Sequence, residues 1–286
     1  MILHTLASAD PISFSYDPQW QIVFNSSFMM SALLAGALIS IAAGIIGYFT
    51  IARRSTFAAH AIAHIGLPGA TGAVLLGLPV SVGMGVFAVA GALIIGVFGK
   101  KASKREVATG TILAFALGLG LFLARMSTAA TAQLQSILFG SILTVTDGQI
   151  WGFAIFDVIL LAVIAIVYQP LLFSSVDEQV AQAKGVRIQV MNLLFMVLLA
   201  GVVTLATQAV GTLLIFALVV TPSAAANTLA RSPKSAIVWS IVICFLSILS
   251  GLLLSSMFPA PPSFAIVTVS TVVWAASQAI DRARRY

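Results

Sequence analysis

Apolar runs of about 20 residues recur along this chain, and no other feature restricts its fold so severely. A helix needs about that many mostly apolar residues to cross the hydrocarbon of a bilayer. Nine such runs lie between breakers, near 27–51, 57–77, 80–99, 107–124, 150–170, 190–207, 209–230, 236–257 and 263–281. Of the 286 residues, 60% are hydrophobic and 8% charged, whereas an ordinary soluble domain carries about a quarter charged residues. A water-soluble globule is therefore excluded. A transmembrane barrel would alternate apolar and polar residues over stretches of about ten, yet Ala32 to Ile51 and Ile237 to Leu254 are apolar on every face. The chain reads as an all-α, polytopic helical membrane protein with eight to nine transmembrane helices, a single domain over 1–286. The weakest division falls at Gln208 to Gly211, and a version with eight spans folds 190–230 differently. Ser127 to Gly148, too polar to cross, reads as a short re-entrant or interfacial helix.

Charge supplies the orientation. With the amino terminus outside and loops on alternating sides, Arg53, Arg54, Lys100, Lys101, Lys104, Arg105, Lys184, Arg187, Arg231, Lys234, Arg282, Arg284 and Arg285 fall inside, and Arg125 alone falls outside. Cytoplasmic loops carry such an excess of basic residues. The net charge of +6 thus reports topology rather than a nucleic-acid ligand. Residues 1–26 read as a short extracytoplasmic segment without a removable signal peptide, because they hold no Lys or Arg and no clean apolar core before a cleavage site. The carboxyl terminus is expected in the cytoplasm of a bacterial inner membrane.

Few residues remain that carry chemistry. Cys244 stands alone, so neither a disulfide nor a thiolate metal site can be built. Gly99-Lys100 lacks the upstream glycine and following Ser or Thr of a phosphate loop. His60 and His64 are two of only three histidines. Spaced i and i+4, they share one helix face, close enough to ligate one ion or to pass it on. His64 lies about 15 Å beyond the arginine pair, near the middle of the hydrocarbon, at 1.5 Å per residue. A titratable side chain at that depth faces protein or a water-filled route. Neutral imidazole suits zinc and other borderline divalent ions. Alternatively, each ring merely hydrogen-bonds a neighbouring helix. An intramembrane zinc peptidase would read His-Glu-x-x-His, and Ala61 stands where its glutamate should be. Pro68 and Gly69, with Gly66, are expected to interrupt the helix above the pair and free carbonyls to line a route; a tolerated kink is the other reading.

Two further segments are polar in an apolar chain. The cytoplasmic segment 171–189 holds Asp177, Glu178, Lys184 and Arg187, and reads as a short helix ended by Gly185 in the left-handed conformation. It is either a handle for a soluble partner or a solvated connector. The run from Val210 to Asn227 sets Thr221, Pro222 and Ser223 in an apolar span, for close helix packing first and polar lining second. Asp157 reads as interfacial or paired.

Taken together, these residues resemble the membrane permease of the ATP-binding-cassette importers for zinc, manganese and iron, over about Phe28 to Ile280. Family members follow their first span with basic residues, a Ser-Phe-like turn, Gly-Asp-x-x-Ser-His and Leu-Pro-Gly. Here that reads Arg53-Arg54, Ser55 to Phe57, Ala59 to His64 and Leu67-Pro68-Gly69, so His60 stands at the family's aspartate and His64 at its histidine. Leu138 to Ser141, Ala183 to Leu194 and Val210 to Ala225 match further family segments in order. The resemblance implies a type II ABC importer-like permease with no enzymatic activity of its own. It also implies a homodimer around the path, two cytoplasmic ATP-binding subunits docked on the coupling segment, and an extracytoplasmic metal-binding protein. His60 and His64 would form a way-station for a transported divalent metal, with zinc favoured by the nitrogen ligands and manganese or iron as the other cargoes. A secondary transporter or channel using the pair as a proton or ion relay is the alternative.

Overall fold

Without water in the hydrocarbon core, each backbone N–H and C=O must be satisfied inside its own segment, so long apolar segments become helices. The computed structural model describes residues 18–98 and 102–285. Its helices are α1 (Trp20–Phe24), α2 (Ser27–Ala52), α3 (Thr56–Leu76), α4 (Val80–Phe98), α5 (Ala102–Ala124), α6 (Thr128–Phe139), α7 (Asp147–Val176), α8 (Glu178–Ala183), α9 (Ile188–Val210), α10 (Thr212–Leu229), α11 (Pro233–Met257) and α12 (Pro262–Arg285). Among the described residues, nine of these are long and apolar enough to cross a membrane: α2 to α5, α7 and α9 to α12. Most of the expected amino-terminal segment, and Lys100 and Lys101, lie outside the described residues.

Nine helices rather than eight follow from one residue. Gly211 adopts φ +81° between α9 and α10, a region where an L side chain is rarely found, and it ends one helix and opens the next. Helix α7 continues through Pro170 to Val176, so the expected segment 171–189 takes in the last residues of α7 as well as α8. Ser127 caps α6 by accepting from the Ala129 N–H. Helix α6 dips into the bundle, where its Ile137 packs with Leu67, Ala70 and Met84, and a 3-10 turn at Ile142–Thr144 leads back to α7.

Helix α3 is the most enclosed of the spans, and α5, α7 and α12 are among the least. It lies mainly against α4 and α5, with α6, α9 and α10 also touching it. Helix α2 packs on α11, α10 and α7. Small residues permit these approaches, as expected where lipid removes any hydrophobic drive between helices and contact has to come from close packing. Several hydroxyl groups inside the spans bond back to their own helix. Ser40 donates to the Gly36 carbonyl at 2.6 Å, Thr50 to Ile46 at 2.8 Å and Ser247 to Ile243 at 2.8 Å. At the carboxyl end of α2, the Arg53 guanidinium donates to the Ser174 and Ser175 hydroxyls at 3.0 and 3.1 Å and lies over the Phe195 ring, tying α2 to α7 and α9.

Candidate metal pathway site

Helix α3, which carries the histidines, approaches α4 closely just beyond them. A Cβ on Gly69 would run into the backbone of Gly83, and one on Gly83 into the backbone of Gly69, so the two helices meet main chain to main chain. Pro68 meanwhile faces Gly120 of α5. These contacts correct the expected interruption at Pro68 and Gly69, because α3 is continuous from Thr56 to Leu76. Packing on both sides holds the proline in the helix, and its missing N–H deprives only the His64 carbonyl of its donor four residues on.

His60 and His64 face each other within α3, ring centroids 4.8 Å apart and planes at 78°. Phe216 of α10 closes on His60 edge-on, at 5.2 Å between centroids. His64 is 8% exposed and His60 half-buried. The Nδ1 atoms of both rings are buried without a hydrogen-bond partner among the described residues. This geometry disfavours the bland reading, in which each ring is bonded to a neighbouring helix, since a buried polar atom left unpaired costs about 1–3 kcal/mol. Two nitrogens within one helical turn can serve as two ligands. Among the described residues no cluster of three His, Cys, Asp or Glu exists, so a cation held here draws its remaining ligands from water, from carbonyls such as that of His64, or from another chain.

Thr221, Pro222 and Ser223 do not break α10 either, which runs unbroken from Thr212 to Leu229. Pro222 withholds an N–H from the Leu218 carbonyl, and that carbonyl instead accepts from the Cys244 thiol of α11 at 3.6 Å. Ser223 and Ser240 share a hydrogen bond at 2.6 Å, and Gly47 of α2 packs directly on Ser223. These residues join α10 to α2 and α11, and the lone cysteine gains a purpose that the sequence did not suggest.

The segment expected in the cytoplasm holds the short helix read from the sequence, α8, ended at Gly185. The Asp177 carboxylate accepts from the Gln179 and Val180 N–H groups at 2.9 and 3.0 Å and caps α8. Gly185, at φ +80°, closes the helix in a Schellman motif, with its N–H on the Gln182 carbonyl and that of Val186 on Ala181. Lys184 lies over the Phe173 ring at 4.5 Å and holds α8 against α7. Glu178, Lys184 and Arg187 are exposed. Asp157 is 4% exposed and its Oδ2 has no partner among the described residues, so the expected pairing is not found there. It borders a void of about 10 Å³ between α2, α7 and α9 that no residue of α3 lines, so it stands apart from the histidines.

Comparison with known proteins adds the context that geometry lacks. A family model described as the ABC 3 transport family matches residues 25–281. The manganese transport system membrane protein MntC of Listeria monocytogenes is 31% identical over 249 residues, 87% of this chain and 89% of that protein. The high-affinity zinc uptake system membrane protein ZnuB of Haemophilus influenzae is 28% identical over 254 residues, 87% of this chain and 96% of that protein. A solved structure of PsaBC from Streptococcus pneumoniae in complex with Fab superposes with a TM-score of 0.80 at 32% identity, covering 91% of this chain and 94% of that one.

Proposed function

The chain belongs to the ABC 3 transport family, and from that premise we propose that it is the membrane permease of an ATP-driven importer of divalent metal ions. The observation that carries this reading is the His60–His64 pair, two imidazoles 4.8 Å apart in the most enclosed span with both Nδ1 atoms unanswered. Zinc is the proposed cargo, because two nitrogen donors suit zinc better than manganese, which prefers oxygen. The names of the relatives include both metals, manganese for MntC and zinc for ZnuB.

In this reading two copies of the chain enclose the path, two cytoplasmic ATPase subunits dock against α8 through Glu178, Lys184 and Arg187, and an external protein delivers the metal. ATP binding then shifts the dimer between outward and inward access through its differential affinity for the two states. A cation reaching the pair exchanges part of its water shell for imidazole nitrogen. With only two ligands from α3, its hold stays weak enough for release, as any conducting site requires. The test is uptake of radioactive zinc in metal-starved cells carrying His64→Ala in place of the wild-type chain. Uptake is expected to fall to that of cells lacking the chain, while the variant still co-purifies with its ATPase. Normal zinc uptake by that variant would remove the pair from the pathway.

A further inference from the structure

On the extracytoplasmic side, a cavity of about 390 Å³ opens between α4, α6, the 3-10 turn, α7 and α9. Its side follows from the basic residues at the opposite ends of these helices. Its polar lining comprises Gln133, Ser136, Ser141, Thr144, Gln149 and Gln208, together with Thr146. Among the described residues, no Asp, Glu, His, Cys, Lys or Arg lines it.

Part of this lining is already committed. Gln149 Oε1 accepts from the Thr146 N–H at 2.9 Å in the α7 capping box, Thr144 donates to the Ser141 carbonyl at 2.9 Å, and Gln208 Nε2 donates to the Thr204 carbonyl at 3.3 Å. What remains is the Gln208 Oε1 oxygen, the whole Gln133 carboxamide, and the Ser136 and Ser141 hydroxyls, for none of which the described residues provide a side-chain bond. The carboxyl ends of α6 and α9 abut the cavity, where helix dipoles favour positive charge. Two amino ends also reach it, that of α4 at Val80 and that of α7, which is capped by Thr146 and carries Asp147 in its first turn.

We propose that this cavity is an entry vestibule that receives the divalent cation with its water shell intact, before any ligand exchange at the histidines. Six waters at about 30 Å³ each amount to about 180 Å³, which the cavity accommodates. Neutral carboxamide and hydroxyl groups can accept from and donate to the waters of a hydrated ion, yet offer no charged ligand to strip it. A described lining without lysine or arginine suits a cation, and one without carboxylates keeps occupancy brief. From the vestibule the chain leads inward: Gln208 is followed across the Gly211 turn by Thr212, whose buried hydroxyl lacks a partner among the described residues. One helical turn further on comes Phe216, in contact with His60. Dehydration is thereby separated in space from capture.

The inference rests on the importer reading, and its test distinguishes the two. Manganese(II) serves as the spectroscopic probe. Added to the purified chain with both histidines replaced (His60→Ala, His64→Ala), it is expected to bind with water protons in its double-resonance spectrum and no directly bound nitrogen. That signal should disappear when Gln133→Leu and Gln208→Leu are added. In liposomes containing the complete transporter, Gln133→Leu with Gln208→Leu should raise the KM for manganese roughly tenfold, about 1.4 kcal/mol, with kcat little changed; Ser136→Ala, a gentler change, should raise it less. Absence of bound manganese in the histidine-free chain, bound nitrogen in its spectrum, or an unchanged KM in the glutamine variants would each overturn the vestibule. If the wild-type transporter moved no metal at all, the importer reading would fail instead, whatever the spectrum shows.

Discussion

At the scale of single residues, the chain answers most of its buried polar atoms locally and leaves a few open, and the open ones include the histidine pair. His60 is the residue whose identity should set metal preference. An oxygen donor in its place suits manganese better, so His60→Asp is expected to raise manganese uptake relative to zinc by about tenfold, in paired isotope uptake by cells in which this permease is the only import route. Cys244 makes a different prediction. Its thiol answers the Leu218 carbonyl that Pro222 leaves without a donor, so Cys244→Ala should cost about 1–3 kcal/mol, the range for an unpaired buried acceptor. In the Pro222→Ala background a backbone N–H returns, and Cys244→Ala should then cost little. Thermal unfolding of the four proteins in detergent closes this double-mutant cycle, and equal costs in the two backgrounds would show that the thiol does not serve that carbonyl.

At the scale of elements, the small residues of α3 act by removing side chains rather than by bending the helix. Gly69 and Gly83 bring α3 and α4 together at the level of the backbone, five residues beyond His64. Gly69→Ala inserts a carbon where main chain already sits. Overpacking of this kind costs about 1–3 kcal/mol, and the variant should unfold earlier and transport more slowly, whereas Gly72→Ala, whose Cβ would meet only Leu123 at an ordinary 3.6 Å, should do neither. Gly140 and Gly211 form a second such contact, with φ of +59° and +81°, and a Cβ on either would strike the backbone around the other. Here the tip of α6 meets the α9–α10 turn, beside the vestibule lined by Ser141 and Gln208.

At the scale of the whole molecule, nine crossings put the two termini on opposite faces. The excess of basic residues on one side is the ground for expecting the carboxyl end in the cytoplasm. A fluorescent protein fused after Tyr286 should therefore fold and fluoresce, and one that is exported and dark would invert the topology together with the placement of the vestibule. The number and order of the spans were legible in the sequence because each rests on a local quantity: apolar length, or a glycine such as Gly211. The pairing of His60 with His64 was legible for the same reason, since i and i+4 meet within a single helix. What Pro68 and Pro222 do was not legible. A proline in a helix bends or breaks it unless neighbours hold it, and the neighbours, Gly120 on α5 and Cys244 on α11, lie 52 and 22 residues further along the chain. Asp157 and the glutamine-lined cavity belong to the same class: burial and cavity volume are created by helices that are distant in sequence, so only the packed bundle decides them.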